Sequence, residues 1–361
     1  MRLILVLLLV GLLRQAAAQP TQDESAYREV FSVAAFGSPN PSLSAAASFV
    51  LAYRGVMPNA AFALARDAEG RSAWGYVGGA SGSPEAEAAA IERCRRALGQ
   101  LQAECRLFAS NAARPGGGPA MPLAEGTIGP FRWAPLLLRR GPQAARGVLV
   151  WGHGYGGPDR DNRNQPTPPF VSLLNDNGWD VLRFDRHPGD DTLYASLPRL
   201  TAALPALRQA GYRRIILGGQ SRGGWQAIMA ASERPDLVEA VIATAPAAHG
   251  EWTRGNNLGA AIDDFRRLLA GVPEGPRLAV VLFEGDDFDP DPARRAAMLE
   301  AKATERQAPT LALWPEPPLR GHGSGNDLRF TLGYAGCLLS LVQAPEAAAP
   351  RGLRRAACGG G

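Results

Sequence analysis

Histidine and cysteine are scarce in this chain, with four of each among 361 residues. The cysteines, Cys94, Cys105, Cys337 and Cys358, form no Cys-x-x-Cys pair and do not cluster with the histidines. A metal-binding domain is therefore the weaker use of them. Lysine is rare as well, and arginine supplies most of the positive charge. That charge is dispersed among acids, and no basic run is interleaved with aromatics, so a nucleic-acid partner is not expected. The formal net charge is +4 at pH 7, falling to about +2 without Arg2 and Arg14. Beyond the first residues no apolar run is long enough to span a bilayer.

What is present begins with a leader. Met1-Arg2 is followed by the apolar run Leu3 to Leu13 and by Arg14-Gln15-Ala16-Ala17-Ala18-Gln19. A basic start, a short apolar stretch and small residues before a cleavage point read as a secretory signal peptide, cut after Ala18. About eleven apolar residues fall short of the roughly 20 a membrane span needs, and Arg14 interrupts them. The expectation is an exported protein, periplasmic or secreted, without a stable membrane anchor. An even cysteine count in such a chain suggests disulfides, for which four cysteines allow three connectivities. Two local pairs are favoured: Cys94 with Cys105, and Cys337 with Cys358, which would staple the C-terminal tail to the preceding helix.

Residues 19–59 hold Gly37-Ser38-Pro39-Asn40-Pro41 and few periodic apolar positions, so they read as a loop-rich lead-in. Residues 60–111 read as a small α+β module. Ala61 to Ala65 and Ser72 to Val77 look like a hairpin across Asp67-Ala68-Glu69-Gly70. Ser83-Pro84-Glu85 starts a helix through Cys94, and Cys105 to Ala109 forms a last strand. Residues 112–120, with Arg114-Pro115-Gly116-Gly117-Gly118-Pro119, are a linker by composition. From 121 to 345 apolar runs alternate with helical patterns. The strand candidates are 148–151, 180–184, 214–217, 237–244, 278–283 and 311–314. The helix candidates lie near 168–177, 192–210, 225–232, 258–270, 292–304 and 328–342. Near-continuous Val/Ile/Leu strands between helices predict a doubly wound, mostly parallel α/β sheet, with ligands at the carboxyl ends of its strands. Residues 346–361 read as a tail.

The chemistry centres on Gly219-Gln220-Ser221-Arg222-Gly223, between the strand Ile215-Ile216-Leu217 and a helix-like stretch from Trp225. A serine there sits on a tight turn, with glycines that keep Cβ atoms away from it. A serine hydroxyl needs a base and an orienting acid. His322, in Leu319-Arg320-Gly321-His322-Gly323, lies after the last strand and before the last helix, where flanking glycines let its ring reach across the sheet. His187 and His249 have less suitable surroundings. His153, in Trp151-Gly152-His153-Gly154-Tyr155-Gly156-Gly157, reads as a residue that shapes a loop. Oxyanion donors would be the N–H of Tyr155 or Gly156 together with that of Arg222. The same glycines match Gly-x-Gly-x-x-Gly, but Pro158 to Pro169 is polar and proline-rich where a dinucleotide site needs a helix.

Two resemblances follow. Residues 60–111 resemble a small family of exported bacterial modules of unknown function, the DUF4189 type. The likeness rests on Ser-Ala-Trp-Gly-Tyr, Ala-Glu-Ala-Ala-Ala-Ile-Glu-Arg-Cys and the second cysteine before Leu-Phe-Ala-Ser-Asn. Residues 120–345 resemble the α/β-hydrolase superfamily, through His-Gly-Tyr-Gly-Gly, Gly-Gln-Ser-Arg-Gly, an acid loop and a His-Gly loop, in the order Ser, Asp, His. The resemblance implies an esterase-like serine hydrolase that forms an acyl-enzyme on Ser221, with His322 as base and no metal or organic cofactor. Its partner would be a small or exposed acyl substrate. In relatives the acid stands three residues after the glycine; here that slot is Phe288, leaving Asp289, followed by proline, and Asp287 as candidates. Asp291 before Pro292 reads as a helix cap. Trp225, Trp252, Tyr155 and Phe288 are candidate pocket residues, or plain packing. Between 248 and 276 there is little room for a lid. A peptidase, amidase or thioesterase on the same fold is the alternative activity, and an inactive envelope binding protein is the alternative class.

Overall fold

The computed structural model describes residues 21–248, 258–289 and 291–358. The stretch expected to be a leader, with its expected cleavage point, and the positions of His249 and Trp252 lie outside the described residues. Among those described, no helix is long and apolar enough to cross a membrane.

The N-terminal part is more ordered than its composition suggests. Helix α1 (Glu24–Val30) is capped by Asp23, whose carboxylate accepts from Ser25 N at 2.7 Å. Helix α2 (Leu43–Ala47) runs on through a π turn at Ser48–Ala52 and a 3-10 turn at Tyr53–Gly55. The expectation of a loop-rich lead-in is thus corrected. Ala45, Ala46, Phe49, Ala52 and Tyr53 are buried at helical spacing, a pattern the neighbouring Gly/Pro cluster overshadowed.

Strands β1 (Ala61–Arg66), β2 (Ser72–Val77) and β3 (Arg106–Ser110) form an antiparallel sheet in the order β2-β1-β3, with helix α3 (Ser83–Ala97) across one face. Alanines explain the close approach. Ala61, Ala63 and Ala65 meet Ala86, Ala90 and Cys94 in one cluster. A Cβ on Gly75 would come within 2.5 Å of Cys94 N and 2.7 Å of Ala90 O, so only glycine lets this helix lie on β2. A disulfide joins Cys94 to Cys105. The opposite face packs Phe62 against Phe49 and Tyr53, and this core extends to Leu136 and Leu138 of the large domain.

The large domain begins with β4 (Thr127–Ile128) and β5 (Phe131–Trp133), two short antiparallel strands absent from the sequence reading. Then come β6 (Gly147–Gly152), α4 (Pro169–Asp176), β7 (Trp179–Phe184), α5 (Leu193–Gln209), β8 (Ile215–Gln220) and α6 (Arg222–Glu233). They are followed by β9 (Ala240–Thr244), α7 (Leu258–Ala270), β10 (Arg277–Val281), α8 (Pro292–Glu305), β11 (Thr310–Leu313) and α9 (Leu328–Gln343). Residues 352–354, assigned to a tail, instead form β12 (Gly352–Arg354), parallel to β11 at the sheet edge, and Cys358 is bonded to Cys337. The strand order is β12-β11-β10-β9-β8-β6-β7-β5-β4, parallel from β7 to β12. This is a doubly wound, mostly parallel α/β sheet.

Period-two alternation covers both faces. Val148, Val150, Leu217 and Val241 pack with Leu200, Trp225 and Ile228. Leu149, Ile216, Ile242 and Val281 pack with Phe170, Phe330 and Leu338. Strand β6 pairs with β7 on one side and β8 on the other. The chain therefore changes direction across the sheet at β6, and the crevice at the carboxyl ends of β6 and β8 is the expected ligand position.

The N-terminal segment is fastened to the large domain through Arg54, which is 1% exposed. Its guanidinium holds the Asp176 carboxylate bidentately, at 2.6 Å per bond, and also donates to Tyr27 Oη and Ser172 O. Arg54→Ala is expected to lower the stability of the whole chain by about 3 kcal/mol, because Asp176 and Tyr27 lose a buried partner. Urea denaturation monitored by tryptophan fluorescence checks this; an unchanged midpoint would show that the fastening is incidental.

Candidate active site

Ser221 links the end of β8 to the first turn of α6 with φ +55° and ψ −121°, a conformation that costs a non-glycine residue about 1–3 kcal/mol. Ser221 N donates to Thr244 O at 3.0 Å, and Ser221 O accepts from Trp225 N at 3.0 Å. The flanking glycines are required sterically. A Cβ on Gly219 would lie 2.3 Å from Gly223 C, and one on Gly223 would lie 2.2 Å from Gly152 O. The end of β6, the end of β8 and the start of α6 thus touch backbone to backbone.

His322 lies in the loop between β11 and α9, and its Nδ1 is 2.8 Å from Oδ1 and 3.0 Å from Oδ2 of Asp286. With Nδ1 protonated and donating to the carboxylate, Nε2 carries the free lone pair (a tautomer assigned from the hydrogen bonds). Ser221 and His322 line one cavity. Among the described residues no hydrogen bond joins them, and in unliganded sites that bond is commonly long and tightens around the bound acyl group.

The carboxylate that meets His322 is not one of the two expected from the sequence. Asp286, directly after Gly285, meets the histidine; Asp287 and Asp289 do not. Gly285 has φ +66°, which turns the chain so that Asp286 faces inward, and Asp286 Oδ1 also accepts from Phe288 N at 2.8 Å. Asp287 is exposed. Asp289 is buried but pairs with Arg295 at 3.3 Å, and burial pushes its carboxyl up to about 6 despite the nearby guanidinium. Phe288 packs its ring 4.5 Å from the imidazole. Three aspartates within four positions have the same chemistry, and only the direction of the turn separates them. Asp291 caps α8 as its spacing predicts, accepting from Arg294 N.

The loop after β6 supplies the facing wall. Tyr155 and Arg222 line the cavity, whereas Gly156 is packed back against Asn162; a Cβ on it would meet Asn162 Nδ2 at 2.6 Å. Of the two residues, only Tyr155 lines the cavity. Gly154 lies directly against the Ser221 turn, where a Cβ would meet Gln220 Oε1 and, at 3.3 Å, Ser221 Cβ. Gln220 also donates to His322 O at 3.3 Å, tying the His322 loop to the turn.

Behind the loop lies a buried polar network that the sequence reading missed. His153 Nε2 accepts from Arg186 N at 2.9 Å, and its Nδ1 contacts Gly154 O at 2.8 Å. His153 thus shapes the loop, as expected, and is kept neutral: burial, then the Arg186 charge, lowers its pKa to about 4. Arg186, itself fully buried, donates to His153 O and, at 2.6 Å, to Asp191 Oδ1. Arg222 donates to Asp191 O and lies 3.7 Å from the centre of the Tyr155 ring. The bulky residue after the serine therefore has a structural use: it ties the start of α6 to the segment after β7 through the Asp191 carbonyl and to the β6 loop through the Tyr155 ring. Trp225 is core, buried against Phe265, and does not line the cavity, while Phe288 does.

No protein-family model matches the chain. Among solved structures it is similar to Est1E from Butyrivibrio proteoclasticus, crystallised with ferulic acid, at 15% identity and TM-score 0.37, covering 52% of this chain and 85% of that one. A lipase from Bacillus licheniformis matches at 19% identity and TM-score 0.31, over 40% of this chain and 69% of the lipase. A puromycin-hydrolyzing peptidase from Mycobacterium tuberculosis matches at 16% identity and TM-score 0.41, over 59% of this chain and 36% of the peptidase. Likenesses this distant carry no functional weight, and the fold rests on the strand order above.

The neutral His153 sets a pH dependence. Its folded pKa of about 4 lies below its ordinary 6.5, so the unfolded chain binds the extra proton first. The stability this contributes is present above pH 6.5 and is lost as pH falls towards 4, by roughly 3 kcal/mol in all. Thermal denaturation between pH 7 and 4 is expected to show this loss in the wild type and a flatter profile in His153→Gln. Parallel profiles would refute the assignment.

Proposed function

We propose that this protein is an exported serine hydrolase that cleaves an ester or related acyl bond through an acyl-enzyme on Ser221. The observation that carries the proposal is a strained serine at a strand–helix elbow, facing the same cavity as a histidine held by a buried carboxylate. Ser221 Oγ attacks the acyl carbon and passes its proton to His322 Nε2. Asp286 keeps the ring oriented and stabilises the imidazolium. The developing oxyanion takes hydrogen bonds from the N–H of Arg222, at the positive end of α6, and from that of Tyr155. His322 then protonates the leaving group, and water attacks the acyl-enzyme with His322 again as base. Export is supported by the leader-like first residues together with two disulfides, which persist in oxidising compartments.

Ser221 in the folded protein is expected to react with a fluorophosphonate probe, and Ser221→Ala is expected to abolish both labelling and ester turnover. Absence of labelling in the folded wild type would remove the reading. Asp286→Asn should lower kcat by about 10⁴, the loss known when a serine protease's triad aspartate is so changed, while Asp287→Asn should leave it nearly intact. Asp289→Asn should instead lower stability, by about 3 kcal/mol, because it strands the buried Arg295 charge, with turnover of the folded fraction preserved.

A further inference from the structure

The cavity in front of Ser221 is not built by the large domain alone. It measures about 520 Å³, within the range of small-molecule sites. Ala52, from the helical stretch before β1, and Tyr76, from β2, line it together with Ser221 and His322. The N-terminal unit is held there by specific contacts. Thr167 N donates to Gly55 O at 2.9 Å, and Ser172 Oγ donates to Leu51 O at 2.7 Å. A Cβ on Gly55 would lie 2.5 Å from Thr167 O, so the segment with Pro166 and Pro168 that leads into α4 at Pro169 presses directly on this unit. Those prolines line the same cavity.

Tyr76 is fixed before any ligand arrives. Its ring stacks on Phe62 with centroids 6.1 Å apart and planes 5° from parallel, and Tyr53 meets it edge-on at 6.3 Å. Its hydroxyl makes no hydrogen bond among the described residues. With Trp151, the three prolines and Tyr76, much of the lining is rigid and flat. A rigid wall loses little conformational entropy on binding and rewards a flat partner by ring stacking, whereas a flexible aliphatic chain must be ordered against it.

We propose that the N-terminal unit is a fixed wall of the acyl site and that Tyr76 is a specificity-determining residue, selecting esters that carry an aromatic ring over flexible aliphatic ones. The inference rests on the serine-hydrolase reading.

The test compares methyl 3-phenylpropanoate with methyl heptanoate on the full chain, with the fluorophosphonate labelling rate of Ser221 as a measure of an intact site. Tyr76→Leu is expected to raise KM for the phenyl ester by about threefold to tenfold. Its kcat, the labelling rate and the KM for the heptanoate should change little. Tyr76→Phe, which keeps the ring, should retain the preference. Because Tyr76 also packs within its own unit, Ala52→Val provides a second probe that adds bulk to the wall from another position; it too should raise KM for the phenyl ester with labelling unchanged. An equal change for both esters in Tyr76→Leu, or an unchanged KM for the phenyl ester in both labelled variants, would overturn the proposal while leaving the serine-hydrolase reading in place. Failure of the wild type to label would remove that reading itself.

Discussion

Direct backbone contact between the end of β6 and the first turn of α6 is the constraint on which the candidate site depends. Gly223 has no space for a side chain because Gly152 O and His153 O occupy it. That approach brings the β6 loop beside Ser221, which itself sits at a positive φ of 55°. Such strain survives only where packing on all sides over-determines it. Here the surroundings are the fully buried strand β6, the strand β8, buried as far as Gly219, and the glycine-lined contact itself.

A contact made of glycines has no side chains to hold it in register, and the buried polar network performs that task. His153, Arg186, Asp191 and Arg222 join the β6 loop, the segment after β7 and the start of α6. Burying two guanidiniums is costly unless they are paired and hydrogen-bonded; Asp191 and the carbonyls of His153 and Asp191 supply those partners. The network therefore contributes position more than net stability. The neutral His153 belongs to it, since burial and the neighbouring Arg186 charge both disfavour a protonated ring.

The N-terminal unit is bound into the same arrangement. Its aromatic core continues into Leu136 and Leu138 of the large domain, and Arg54 closes the seam with a bidentate pair. A unit fastened this firmly can present Ala52 and Tyr76 to the cavity at constant positions. A hinged lid would pay an ordering cost each time it closed.

The sequence by itself determined the elements and most of the site. Helix and strand periods placed six parallel strands and their helices within a few residues of where they lie. The Gly-x-Ser-x-Gly elbow and the glycine-flanked His322 were legible because turns of that kind demand those residues locally. Both disulfide pairs were legible too, since each closes a short segment. Tertiary structure alone decided what depends on direction and distance in space. It chose Asp286 over Asp287 and Asp289, because Gly285 turns one carboxylate inward while Arg295 claims another. It separated Tyr155 from Gly156 by which of the two faces the cavity. It drew the helical lead-in, β12 and Tyr76 into structures whose partners lie far away along the chain. A residue's chemistry can be read from its letter, but its neighbour across a sheet is set only when the sheet is complete.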